Sequence, residues 1–251
     1  MIEPWGLKPI LFEINGVGIT AYGTFMVLAF AVGFGIYKLL LRQDGIRHSN
    51  AMYIALFALV GGAIGSKIPL FFMYWNQLGE ASTLALILSG RTILGGLIGG
   101  TLGVMLAKRA FKIEAKMGNQ IAIPVAIGMA IGRVGCLLNG CCYGQETALP
   151  WGINFGDHIL RHPTQIYEII FDLSLALCLY LYKMKNVKTG KTLPPGILFR
   201  YFLNAYLSFR FLLETIRVEK VGLLGLTDFQ WLCLVSLLFI NRKVVTYESA
   251  R

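Results

Sequence analysis

The chain has 251 residues, of which 56% are hydrophobic and 14% charged, and a formal net charge of +10. Its mean hydropathy is +0.64. Soluble domains carry roughly 25% charged residues, so the composition argues against a soluble protein. It argues equally against the nucleic-acid binding that a basic soluble domain would suggest. The length fits one integral membrane domain over 1–251 with no sizeable soluble portion.

The opening segment, MIEPWGLKPI, lacks a basic n-region, and no small-residue cleavage site follows the first apolar run. That run is therefore expected to stay in the protein as a helix. Apolar runs near the span length of about 20 residues recur at 19–41, 51–75, 93–107, 121–138, 165–182, 196–216 and 225–240. They predict an all-α fold: a polytopic integral membrane protein with about seven transmembrane helices. The third run is short and Gly-rich. It either begins earlier, near Leu84, or is irregular where it lines a cavity.

The basic residues set an orientation. Arg42 and Arg47 follow the first run, and Lys108, Arg109, Lys112 and Lys116 follow the third. Lys183, Lys185, Lys188 and Lys191 follow the fifth, and Arg242, Lys243 and Arg251 the seventh. The alternate segments hold few: Lys8, Arg91, Arg161, Arg217 and Lys220. Because cytoplasmic loops carry the excess of Lys and Arg, the N-terminus is expected outside and the C-terminus in the cytoplasm. Segment 139–164 and Arg217 then face the outer side, with Arg133 toward the outer end of its span.

Glycines recur four apart: Gly61 with Gly65, Gly95 with Gly99, Gly96 with Gly100, Gly99 with Gly103, and Gly128 with Gly132. That spacing puts each pair on one helix face and lets backbones approach closely. Helix packing is the plain reading. Backbone N–H groups of ILGGLIGG offered to an anion are the other.

Four polar outliers interrupt the apolar runs. Arg133 lies in IAIPVAIGMAIGRVGCLL, where a charge at membrane depth requires a partner or a task. Asn139 opens NGCCYG. In RHPTQIYE, Pro163 starts a helix well, Thr164 and Gln165 can bond backbone groups at that helix start, and Glu168 is a candidate arginine counter-ion or base. His162 there is a candidate proton carrier or a helix-cap residue. In FRFLLETIR, Tyr206, Arg210, Glu214 and Arg217 are spaced to share one helix face. Either they form a buried ion-pair network fixing helix positions, or a cationic pocket for an anionic group. The arginines outnumber the glutamate, and guanidinium binds phosphate bidentately. Tyr22 and Gly23 open the first span, Tyr22 being an interfacial anchor or a phenol aimed at a headgroup.

Cys178 and Cys233 lie in apolar helices as small packing residues. Cys136, Cys141 and Cys142 form C-x4-C-C, a poor spacing for zinc, so no metal site is assigned, although with His162 nearby one is conceivable. A disulfide on the outer side, a reactive thiolate beside Arg133 and simple packing remain open for them.

On Tyr22-Gly23, GGLIGG (Gly95 to Gly100), GRVGCLLNGCCYG, RHPTQIYE and FRFLLETIR, in that order, the chain resembles the prolipoprotein diacylglyceryl transferase family over nearly its whole length. The resemblance implies a multi-pass enzyme of the bacterial inner membrane with its site toward the outer leaflet. It implies transfer of the diacylglyceryl group of phosphatidylglycerol to the thiol of the lipobox cysteine in a preprolipoprotein signal peptide. A thioether forms, glycerol phosphate leaves, and no cofactor is needed. It carries functional roles to Arg133, Asn139, Gly144, Arg210, Glu214, Arg217 and Tyr22. Gly95 and Gly96 join the substrate-binding set, and His162 the catalytic one. Three positions depart from the family pattern: Leu94 stands where a histidine usually precedes the glycine run, Cys136 where asparagine is usual, and Cys141 where an acidic residue is usual. The departures leave open a divergent transferase with another acceptor and a non-catalytic lipid-binding protein. An organic-anion transporter is a further alternative, disfavoured by the apolar cytoplasmic halves of the spans.

Overall fold

The computed structural model describes residues 6–14, 16–45, 51–79, 81–90, 92–113, 117–218 and 222–248. Arg47, Arg91, Lys116, Lys220 and Arg251, which contribute to the orientation reading, lie outside the described residues, as do the side chains of Arg242 and Lys243.

The fold is mostly helical, as the apolar runs predict, and it divides into two compact units, 41–115 and 1–40 with 116–251. The larger unit begins with a hairpin of β1 (Ile10–Ile14) and β2 (Val17–Thr20), turning at Gly16 with φ +78°. The hairpin leads directly into α1 (Ala21–Gln43), whose first turn is capped by Thr20 Oγ1 accepting the Gly23 N–H at 3.1 Å.

The smaller unit holds α2 (Ala51–Gly65), α3 (Ile68–Met73), α4 (Ala81–Ser89) and α5 (Ile93–Ala110). The apolar stretch around Leu84 is thus a separate short helix, and α5 is regularly helical from Ile93. Glycines decide how α2 meets α5. A Cβ at Gly99 would lie 2.7 Å from the Gly65 Cα and still closer to the Gly61 carbonyl. Gly103 backs onto the Phe57 carbonyl in the same way. Lys67, between α2 and α3, donates to the Leu88 and Gly90 carbonyls at 2.5 Å each, satisfying acceptors at the end of α4.

The larger unit continues with α6 (Gly118–Leu138), β3 (Ile153–Asn154), β4 (Leu160–Arg161), α7 (Thr164–Lys188), α8 (Ile197–Leu213) and α9 (Asp228–Glu248). Small residues again set the approach: a Cβ on Gly135 would lie 3.3 Å from the Tyr22 Cα, and Gly132 and Gly128 face Met26 and Ala29 of α1. At the far end of α6, Asn119 accepts the Leu198 N–H at 3.1 Å and donates to the Pro194 carbonyl at 3.0 Å, fixing the start of α8.

Among the described residues, five segments are long and apolar enough to cross a membrane: Ala21–Gln43, Met52–Met73, Ile93–Ala110, Gly118–Leu138 and Thr164–Lys188. The sixth and seventh runs form α8 and α9, and the apolar part of α9 is the shorter stretch Asp228–Asn241.

Two local expectations are corrected. The helix expected over 196–216 ends at Leu213, passes through a 3-10 turn at Glu214–Ile216, and leaves Arg217 extended with ψ 158°. The cause is competition for its backbone: Gly144 bridges Arg217, the Gln145 N–H donates to the Ile216 carbonyl at 2.8 Å, and Gln145 Nε2 to the Arg217 carbonyl at 3.0 Å. Thr164 and Gln165 do not cap their own helix. Thr164 Oγ1 donates to the Cys142 carbonyl at 2.5 Å and Gln165 Nε2 to the Cys141 carbonyl at 2.6 Å. A helix start exposes N–H donors, whereas the loop beside it offers the carbonyls these donors can use.

Candidate active site

Three arginines from α6, α8 and the extended segment that follows the 3-10 turn after α8 meet through two glutamates. Arg133 is ion-paired with Glu168 of α7. Arg217 Nη1 lies 3.9 Å from the other oxygen of Glu168, and its Nε lies 3.9 Å from Glu214. Glu214 in turn pairs with Arg210 at 2.6 Å. The order Arg133, Glu168, Arg217, Glu214, Arg210 alternates in sign. Arg133 and Arg210 are each only 6% exposed and Glu168 is fully buried. An uncompensated charge there would cost several kcal/mol, of the order of 3–5.

Polar groups remain around the chain of charges. Among the described residues, Arg133 Nε, Arg210 Nη1, the Tyr206 hydroxyl and both Asp172 carboxyl oxygens are buried without a hydrogen-bond partner. Each buried unmet donor or acceptor costs about 1–3 kcal/mol. Guanidinium donors left over in a cluster where three arginines face two glutamates are suited to an anionic ligand.

The loop from Asn139 to Gly144 forms the edge of this cluster. Gly144 stands where three segments converge: a Cβ there would be 2.6 Å from the Ile216 carbonyl oxygen, 2.8 Å from the His162 Cβ and 3.0 Å from the Thr164 Cγ2. Its N–H donates to the His162 carbonyl at 2.8 Å, and the His162 N–H returns to the Gln145 carbonyl at 3.0 Å. Arg217 Nη1 also donates to the Cys142 carbonyl at 3.3 Å. Asn139 is exposed at the end of α6, with its N–H on the Gly135 carbonyl. Hydrogen bonds from Cys136 and Cys141, with Arg133 and Arg217 nearby, pull the Cys142 thiol below the usual cysteine range.

The other candidates fall as follows. Tyr22 lies in the first turn of α1, next to Gly135, two residues along from Arg133 on α6. The ring of His162 faces Tyr167, with Nδ1 3.2 Å from its hydroxyl, and Trp151 Nε1 donates to the same hydroxyl at 2.8 Å. Arg161 pairs with Asp157 at 2.6 Å and covers the Tyr143 ring. Gly95 and Gly96 belong to the smaller unit, where Gly95 packs against Gly65 and Pro69 while Gly96 has its nearest neighbour at 3.7 Å. Gln145 and Asp172 were not singled out from sequence as site residues. A polar residue directly after Gly144 and a carboxyl one turn beyond Glu168 were the available signals.

An open apolar groove of about 500 Å³ runs along β1, β2 and the outer face of α1, lined by Phe12, Ile19, Gly23, Val27 and Leu28 among others. It contains none of the arginines.

Fold and site together define a polytopic membrane protein with a buried, arginine-rich cluster at the end of its most enclosed spans. Residues 9–245 match the family described as prolipoprotein diacylglyceryl transferase, and the chain belongs to that family. Similar relatives are phosphatidylglycerol–prolipoprotein diacylglyceryl transferases of Clostridium tetani, 33% identical over 74% of this chain and 78% of that protein, and of Dehalococcoides mccartyi, 31% identical over 89% and 87%. One from Clostridium perfringens, described as transferase 2, is 31% identical over 88% and 87%.

Proposed function

We propose that this chain transfers the diacylglyceryl group of phosphatidylglycerol to the lipobox cysteine thiol of preprolipoproteins, at the outer leaflet of the bacterial inner membrane. The observation that carries the reading is the alternating network of Arg133, Glu168, Arg217, Glu214 and Arg210. Its chemistry fits the reaction. A thioether requires attack of sulfur on the glyceryl carbon that bears the phosphate, so the departing electron pair collects on a phosphate oxygen. Preorganised guanidinium groups in a water-poor site stabilise that charge more in the transition state than in the ground state. Glu168 and Glu214 hold the guanidinium forks in place before lipid arrives. Arg133, Arg210 and Tyr22 would act on the reacting group. Asn139, Gly144, Glu214 and Arg217 would shape the headgroup site, and Gly95 and Gly96 are the remaining candidates for lipid contact. His162 is the candidate proton carrier.

The test is transfer from labelled phosphatidylglycerol to a lipobox peptide, read by mass spectrometry of the peptide cysteine. Arg133→Ala is expected to lower the rate about 10²–10³-fold, the scale for losing one oxyanion-type donor. Because that change strands Glu168, the double variant Arg133→Gln with Glu168→Gln removes both charges together. It should fold, insert and stay inactive. Transfer at the unaltered rate in the folded double variant would overturn the reading, and lipid binding without transfer by the unaltered protein would favour the non-catalytic alternative.

A further inference from the structure

The sequence spacing of Cys136, Cys141 and Cys142 looks unsuited to a metal, but the fold changes the distances. Their three sulfurs all lie within 4.8 Å of one another. The Cys141 and Cys142 sulfurs are 3.8 Å apart. In a tetrahedral zinc site with Zn–S bonds of about 2.3 Å, neighbouring sulfurs are about 3.8 Å apart. Two left-handed residues make the approach possible: Gly140 at φ +66° and Cys142 at φ +69°. The second is uncommon for a residue with a side chain.

The loop is held in this shape from outside. Gln165 and Thr164, both fully buried, donate to the Cys141 and Cys142 carbonyls. The Cys141 N–H donates to the Cys136 carbonyl at 3.1 Å. Outer contacts of this kind orient metal ligands and are costly to lose. The electrostatics match as well. Arg133 Nη1 is 4.0 Å from Cys136 Sγ, and Arg217 Nη1 reaches the Cys142 carbonyl. Three thiolates around a divalent ion carry one net negative charge, which these guanidinium groups offset. Among the described residues no fourth histidine, cysteine, aspartate or glutamate joins the group. Catalytic zinc sites have this form: three protein ligands and one open position.

We propose that Cys136, Cys141 and Cys142 bind a zinc ion whose open position takes the acceptor thiol of the transfer reaction. The inference rests on the function proposed above and adds how the thiol is activated. A thiol that coordinates zinc gives up its proton, here to water at the exposed Cys142 side of the loop. The bound sulfur then attacks the glyceryl carbon, the C–S bond forms as the C–O bond breaks, and the electron pair stays on the phosphate oxygen beside the arginines. Glycerol phosphate leaves and takes up a proton, the thioether detaches from the metal, and zinc keeps its oxidation state.

The experiment uses the full chain in nanodiscs, purified under reducing conditions, stripped with chelator and reloaded with Zn²⁺ or Co²⁺. One metal ion per chain is expected, with intense sulfur-to-cobalt charge-transfer absorption. A lipobox peptide should strengthen that absorption, and the same peptide with serine for cysteine should not. Cys142→Ser should lose the ion. Since that variant can also disturb the loop, the cobalt spectrum of the unaltered protein stands as an independent measure. Chelation should reduce transfer at least 100-fold, restored by Zn²⁺. Absence of stoichiometric metal in the unaltered reduced protein, or full transfer by the metal-free protein, overturns the zinc proposal while leaving the transferase reading intact. A peptide-thiol response in the cobalt spectrum with no transfer under any condition supports the site and overturns the transferase reading instead.

Discussion

Gly144 joins the separate parts of the site at one backbone position. Its missing Cβ admits the Ile216 carbonyl, His162 and Thr164 at once, and its N–H ties the loop to the segment before α7. Gly144→Ala must push away the extended segment carrying Arg217, the residue bridging Glu168 and Glu214. Overpacking of this kind costs about 1–3 kcal/mol. The expected outcome is a lower melting temperature in detergent together with loss of transfer. An alanine variant with unchanged melting and unchanged rate would show that the convergence has no structural or chemical weight. The same residue explains a limit of sequence reading. Arg210, Glu214 and Arg217 could be grouped by helical spacing, and they do meet. Arg217 arrives from extended backbone, because the pull of Gln145 on the Ile216 and Arg217 carbonyls is a non-local competition.

At the level of helices, the glycine rows separate packing from lipid contact. Between α2 and α5 there is no driving force from water exclusion within a bilayer, so close backbone approach supplies the attraction. Gly99 sits 2.7 Å from the Gly65 Cα at its would-be Cβ, whereas Gly96 meets nothing nearer than 3.7 Å. Gly99→Ala is therefore expected to destabilise the smaller unit by about 1–3 kcal/mol, while Gly96→Ala should leave melting unchanged. Transfer assays on the stable Gly96→Ala protein then isolate any role of that residue toward lipid: a fall in rate without a fall in melting supports it. Much of this level was legible in sequence. The apolar runs marked the long spans, and spacing of four marked the glycine faces. The convergence of the three cysteines was not legible. A left-handed glycine at Gly140 is an ordinary turn signal, but a left-handed Cys142 has no sequence mark, and the donors that hold the loop come from α7.

For the whole molecule, the uneven placement of basic residues carries the functional claim about sidedness. The segment containing Gly144 and His162 is poor in Lys and Arg, while the end of α7 and the loop beyond it hold Lys183, Lys185, Lys188 and Lys191. At about 1.5 Å per residue, the 25 residues of α7 exceed the ~30 Å hydrocarbon core, long enough to put its lysine-rich end and Glu168 at opposite faces of a bilayer. On the orientation proposed above, with that end cytoplasmic, a signal peptide on the outer side and a lipid headgroup in the outer leaflet would reach the same arginine cluster without either crossing the core. Single cysteines at two exposed positions, Ala148→Cys and Lys188→Cys, test this directly with a membrane-impermeant maleimide. Each is placed in the natural protein and compared with it, so that labelling of the native thiols is subtracted. Ala148→Cys should react in intact spheroplasts, and Lys188→Cys only after permeabilisation. The reverse pattern would place the arginine cluster on the cytoplasmic side and remove the physical basis for modifying a translocated lipobox.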